Sequence, residues 1–235
     1  MTSLDTPRDI AQGIGGAFGM LFDLLTPFLR PYRAHWGLSA EEAAASFVGD
    51  SYVVRPNWLW THAVHVNAEP KQVWPWVAQI GQGKAGFYAY QWLENLAGCR
   101  IRNADTIHPE WAVSEVGQEF RIHPTAPPLV VAELVPWRHF VVTNASPGLG
   151  LTAGDPGRAE DGPKVSWLFL VQPLGDSQSR VVSRYRIAHG RDLRTRLAYG
   201  PSLLEPIGFA MDRQMLLGIK ERAERARAPH RHRLE

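Results

Sequence analysis

Apolar and polar residues alternate along "WLWTHAVHVNA", residues 58–68, with His62, Val64 and Val66 on one side and Thr61, Ala63 and His65 on the other. That period of two predicts a strand, because successive side chains of an extended chain point to opposite faces. "EPKQVWPWVAQI" follows and predicts a helix. Pro70 suits its start, where the missing N–H is not needed, whereas Pro75 lies deeper and should bend or shorten it. The Gly81-Gln-Gly83-Lys-Ala-Gly86 bend leads into "FYAYQWLENLAG", a second short helix ended by Gly98. The texture then changes. Five β-rich runs, "VGQEFRIHP", "LVVAELVPW", "RHFVVTNA", "VSWLFLVQPL" and "RVVSRYRIAHG", are separated by Pro/Gly turns and predict an antiparallel meander. In 202–228, Leu204, Gly208, Met211, Met215 and Ile219 recur at three- and four-residue steps, which predicts one apolar face of a long helix. Pro206 falls in its first turn or marks a break there.

The order is strand, two short helices, five strands, one long helix. It predicts an α+β domain: a curved antiparallel sheet of about six strands, one face of which the C-terminal helix is long enough to cover. A strongly curved sheet wrapped on one helix leaves a cavity between them. We divide the chain into an N-terminal helical extension (1–46), the sheet-and-helix domain (47–228) and a charged tail (229–235). Within the extension, "LSAEEAAAS" predicts a short helix capped by Ser39, with Glu42 completing a capping box. The link from Ala145 to Lys164 has 20 residues, five of them Gly and three Pro, and reads as a lid or as disorder.

Residues 9–30 raise the question of a membrane. Ile10–Phe22 is uncharged but spans only 13 residues, short of the roughly 20 that cross a bilayer. Four glycines weaken it as an isolated helix, so it is expected to dock on its own domain, with contact to a membrane surface as the alternative. No basic start and small-residue cleavage site mark a secretory signal, and the expected location is cytoplasmic.

Charge adds little. Net charge is +2, with 13 Lys+Arg against 6 Asp+Glu in residues 180–235. A basic part of that kind could touch nucleic acid or anionic lipid, but the arginines of "KERAERARA" are interleaved with acids, as on a solvated helix face. No nucleic-acid partner is expected. The single cysteine, Cys99, excludes an intramolecular disulfide and reads as a packed thiol.

Several chemistries fail on spacing. A phosphate loop ending at Gly83-Lys84 would need Gly at 78 and Ser or Thr at 85, and both positions are Ala. "GIGGAFG" at 13–19 lacks a preceding strand. His62 and His65 fall on opposite strand faces, and no metal or cofactor site is expected. "NASPG" lacks the first Gly of a nucleophile elbow. "NADTIHPEW" gathers Asp105, His108 and Glu110 beside Trp111, which suits either acid–base chemistry or a simple turn. Arg184 and Arg186 share a strand face and either hold an anionic ligand head or stand on the solvent side, with Val181, Ser183, Tyr185 and Ile187 inward. Trp76, Tyr88, Trp92, Trp111, Trp167, Phe169, Tyr185, Met211 and Met215 form the apolar set expected near one cavity; an ordinary filled core uses the same residues.

The stretch "THAVHVNAEPKQVWPWVAQIGQGKAGFYAYQWLENLAG", then "ADTIHPEW", "VGQEF", "SRYRI" and "EPIGFAMDRQMLLGIKERAE", resembles bacterial proteins of the START-like (SRPBCC, polyketide cyclase/dehydrase-like) superfamily. The likeness covers roughly Phe47 to Ala228. It implies a helix-grip fold with a hydrophobic cavity. The superfamily includes lipid and hormone carriers, aromatase/cyclases and dioxygenase domains, and no catalytic signature carries over to this chain. The expected function is binding of a hydrophobic or aromatic small molecule, lipid or polyketide-like, gated by the 145–164 link or the 81–86 bend. The alternatives are a cyclase or dehydratase using a pocket carboxylate or His, for which Asp105 and Glu110 are the candidates, and a peripheral-membrane lipid shuttle.

Overall fold

The computed structural model describes residues 6–145 and 162–227. The 229–235 tail and most of the 145–164 link lie outside the described residues. Six strands make one antiparallel sheet among them: β1 (Trp58–Val66), β2 (Glu119–Phe120), β3 (Leu129–Val135), β4 (His139–Thr143), β5 (Lys164–Pro173) and β6 (Ser179–Ala188), in the order β1-β6-β5-β4-β3-β2. The first strand thus joins the last, so the meander β2 to β6 ends beside the strand that preceded the helices. A register shift between Val131 and Glu133 of β3 marks a bulge, the usual device for bending a sheet. This is the α+β arrangement expected from the order of elements, and the helix-grip fold that the resemblance implies.

Helices α1 (Pro7–Leu25), α2 (Arg30–Ala34) and α3 (Ala40–Ala44) precede the sheet. The α3 cap is the expected one: Ser39 Oγ accepts from Glu42 N–H, and the Glu42 carboxylate accepts from Ser39 N–H. Two short helices follow β1, α4 (Pro70–Ala78) and α5 (Gln91–Leu96). Pro75 is accommodated inside α4, which stops three residues later. Gly98, at φ +94°, turns the chain out of α5 in the left-handed region that favours glycine. A short helix that the sequence pattern did not predict, α6 (Leu193–Tyr199), precedes the long α7 (Leu204–Arg227).

Helix α7 lies on the face of the sheet presented by Trp60, His62, Trp167, Ser183 and Tyr185. Strand register explains the grouping. Trp60 pairs with Tyr185 and Tyr185 with Trp167, while the next inward row is His62, Ser183 and Phe169. The apolar step of α7 is set by small residues as much as by large ones. A Cβ on Gly208 would stand 2.7 Å from the Trp60 ring, and one on Gly218 would run into the Tyr88 carbonyl.

The opposite face of the sheet differs from the solvent-exposed alternative. Arg184 and Arg186 point there, but both are buried. Residues 43–54 cross that face: Asp50 accepts from Arg184 Nε and Nη2 at 2.8 and 3.0 Å, and Arg186 donates to the Val53 and Val54 carbonyls. Tyr52, Val53, Val141 and Leu168 pack there as a second small core. The two arginines therefore fasten the chain to its own sheet.

Helix α1 packs on α5 and α7. Its glycines divide by face. A Cβ on Gly13 would meet the Trp92 ring at 2.5 Å and one on Gly16 the Tyr90 ring at 2.8 Å, whereas Gly15 and Gly19 face open space. Two glycines thus let aromatic rings of α5 and its N-terminal flank reach the α1 backbone, which offsets their weak helix propensity by contact. No helix among the described residues is long and apolar enough to cross a membrane.

Candidate functional site

A cavity of about 460 Å³ lies between the sheet and α7. Trp60 of β1, Trp167 of β5 and Tyr185 of β6 form its sheet wall, and Leu204, Ile207, Gly208, Met211, Asp212 and Met215 its α7 wall. Phe87, Ala89, Leu93, Glu94, Ala97 and Cys99, on and around α5, close a third side, with Ile122, His123 and Met20 of α1 completing it. Rings order the sheet wall: Trp60 stacks on Tyr185 at 4.6 Å between centroids and on His62 at 5.3 Å.

Of the nine aromatic and Met positions singled out in the sequence, Trp167, Tyr185, Met211 and Met215 line this cavity. Trp76, Tyr88 and Phe169 are buried in the surrounding core. Tyr88 is held away from the wall by several bonds at once. Gln79 Nε2 donates to its hydroxyl at 2.7 Å, its own N–H donates to Asn103 Oδ1 at 2.8 Å, and Arg222 sits over its ring. Trp92 turns outward to Gly13 of α1. Trp111 stacks on His108, 4.0 Å between centroids, beside a separate polar groove that also takes in Gly83, Lys84 and Asp105. The 81–86 bend therefore borders that groove and not the apolar cavity. Asp105 pairs with Arg222 at 3.0 Å, and Glu110 with His108 at 3.3 Å; neither carboxylate lines the cavity.

Two polar features of the wall were not singled out in the sequence. The first is a chain of hydrogen bonds. Trp167 Nε1–H donates to Ser183 Oγ at 2.9 Å, Ser183 Oγ–H donates to Asp212 Oδ1 at 2.7 Å, and Asp212 Oδ2 meets His62 Nδ1 at 2.6 Å. His62 Nε2 lies 2.9 Å from the Arg33 carbonyl. A carbonyl only accepts, so Nε2 carries a hydrogen, and one further proton is shared between Nδ1 and Asp212. The pair is neutral overall whichever atom holds that proton. Ser183 gives its proton to the carboxylate and receives one from the indole, and it is fully buried and does not line the cavity, so it is not placed to attack a molecule there. This chain fixes α7 to β1, β5 and β6 with every donor matched.

The second feature is Glu94. It is 7% exposed, lines the cavity, and its Oε2 has no hydrogen-bond partner. Burial pushes its carboxyl up to about 7, because the charged form loses solvation and gains no partner. Cys99, also on the wall, has its thiol raised by burial and by the charge of Glu94, which makes it a packed, unreactive thiol. Trp60 Nε1 is a second buried wall atom without a partner. An acid–base step inside this cavity would fall to Glu94, the wall carboxyl that titrates near neutrality, and not to Asp105 or Glu110. Sequence position gave a signal for Asp212, which stands four residues after Gly208 and three before Met215 on the inward helix face. Glu94 sits in a six-residue helix too short for its inward side to be read from periodicity.

No protein-family model and no curated protein matches the chain. Its backbone is similar to those of several solved structures. One is a solution NMR structure of a Thermobifida fusca protein, at 18% identity and TM-score 0.41, covering 71% of this chain and 93% of that one. Another is CalC, a self-sacrificing resistance protein from Micromonospora echinospora, at 12% identity and TM-score 0.39, covering 72% and 95%. A third is truncated norcoclaurine synthase from Thalictrum flavum, at 13% identity and TM-score 0.36, covering 69% and 91%. By the topology of its own sheet and its long last helix, the chain has the helix-grip fold of START-like proteins.

Proposed function

We propose that the protein binds a small apolar molecule in the cavity between the sheet and α7. The observation that carries this reading is the cavity itself: about 460 Å³ left unfilled beside a densely packed core, with walls dominated by Trp, Phe, Met, Leu and Ile. Cores normally close such space, and ligand sites of roughly 300–1,000 Å³ keep it. Native mass spectrometry of freshly purified protein, with organic extraction of whatever is released, tests the reading. A discrete apolar compound is expected. Ala97→Trp places a large ring at an exposed position of the wall and should lower the occupied fraction at least tenfold without unfolding the chain. Equal occupancy in that variant would place the compound elsewhere.

A second reading, a lipid shuttle that touches a membrane, is favoured by α1 and the turn that follows it. Phe18, Phe22, Leu25 and Phe28 stand 69%, 58%, 71% and 74% exposed, while Met20 between them lines the cavity. The full chain should float with liposomes, and the triple variant Phe18→Ser, Phe22→Ser, Phe28→Ser should not. If the wild type stays in the dense fraction, the shuttle reading falls.

A further inference from the structure

Glu94 lines an otherwise apolar cavity with an unpartnered buried oxygen. Among the described residues lining that cavity there is no Lys or Arg. The other titratable groups on the wall are Cys99, His123, Tyr185 and Asp212. The charge of Asp212 is matched by His62 at 2.6 Å. His123 is engaged by its own surroundings: its Nε2 faces the Ala97 carbonyl at 3.1 Å, and its Nδ1 faces the Thr125 hydroxyl at 3.0 Å and the Thr125 N–H at 3.3 Å. Cys99 and Tyr185 are both held towards their protonated, uncharged forms by burial. An ionised wall therefore carries one uncompensated negative charge, and it sits on Glu94. A buried carboxylate is stable when a cation and a hydrogen-bond donor meet it together. Among the described residues, none supplies either at Oε2.

We propose that the cavity selects apolar amines, with the protonated nitrogen of the ligand on the Glu94 carboxylate and its hydrocarbon body against Trp60, Trp167, Met211 and Met215. This rests on the cavity being the binding site. An ammonium brings charge and donors together, an alcohol brings a donor alone, and a carboxylate or phosphate group meets repulsion. Selectivity thus comes from a single wall residue, and affinity from the apolar remainder.

Three probes of one skeleton test this: 1-naphthylmethylamine, 1-naphthalenemethanol and 1-methylnaphthalene, titrated calorimetrically at pH 8 and pH 6 into wild type and Glu94→Gln. At pH 8 the amine should bind wild type at least tenfold more tightly than the other two. That advantage should shrink severalfold at pH 6, where Glu94 is mostly protonated, while the hydrocarbon is unaffected by pH. In Glu94→Gln the amine advantage should disappear and the hydrocarbon should bind within about twofold of wild type, which also reports that the cavity is intact. Equal binding of all three probes, or an amine advantage that survives in the variant, overturns the inference and leaves the cavity as a binding site. Failure of every probe to bind wild type, with no compound released in the mass-spectrometric test, removes the cavity reading and the amine inference together.

Discussion

Glu94→Gln makes the unliganded protein more stable at pH 8 and changes it little at pH 5. The carboxyl of Glu94 is raised from an ordinary 4.5 to about 7, so folding favours its neutral form. That contribution is fully present below pH 4.5 and is lost as pH rises through about 7. Above pH 7 the folded chain must either hold a buried, unpartnered carboxylate or keep a proton that the unfolded chain has released. The upward shift corresponds to about 3 kcal/mol at pH 8, and to under about 1 kcal/mol at pH 5. Gln is close in shape and never ionises, so the variant escapes the pH-dependent part of the cost. In a chain of this size that difference amounts to roughly 6–12 °C in melting temperature. Thermal unfolding of both proteins from pH 5 to pH 8 is the measurement. Parallel profiles would show that Glu94 finds a partner or water in solution, and would weaken the case for its meeting a ligand cation. A bound amine should reverse the sign, stabilising wild type more than the variant at pH 8.

The sheet was legible because its signals are local. Alternation divided residues 58–68 between two faces, and the same faces hold in the structure: His62 meets Asp212 of α7, and Thr61 lies on the opposite face against Arg184. The cavity wall was only partly legible. Large aromatics are inward residues in general, but sequence does not say whether an inward ring meets empty space or a neighbour. Trp167 and Tyr185 stand beside the cavity, whereas Phe169, two residues along the same face as Trp167, is fully enclosed by Phe120 and Phe140. Trp92 was misplaced by its size: the small residue that receives it, Gly13, is 79 positions away in a segment outside the resemblance. Arg184 and Arg186 show the same limit. Their burial depends on Asp50 and on the path of residues 43–54, a long-range fact with no periodic trace in the chain. Glu94 and Asp212 were missed for opposite reasons. Asp212 has a helical spacing that points inward, among residues chosen for being apolar, while Glu94 lies in a helix too short for its inward side to be read from periodicity.

The N-terminal segment is expected to be part of the folding unit, and Arg33 is the residue that shows it. Arg33 Nε and Nη2 donate to the two carboxylate oxygens of Glu205, each at 3.0 Å, and both side chains are almost wholly buried. Arg33 Nη1 donates to the Thr26 carbonyl, and Asp23 lies 3.8 Å away. Its own carbonyl accepts from His62, so residue 33 links α1 and α2 to the first turn of α7 and to the chain of bonds at the cavity wall. Removing one partner of such a pair leaves the other charge buried and unpaired, which costs about 3–5 kcal/mol. Arg33→Met should therefore unfold at markedly lower urea concentration than wild type. Adding Glu205→Leu should return most of the loss, because an apolar pair of similar volume avoids the stranded charge. Met20 belongs to the cavity wall, so the single variant should also lose bound ligand while the double variant keeps it. A single variant within about 1 kcal/mol of wild type would mean that the segment is an appendage whose packing adds little, and that the cavity is closed by the sheet, α5 and α7 alone.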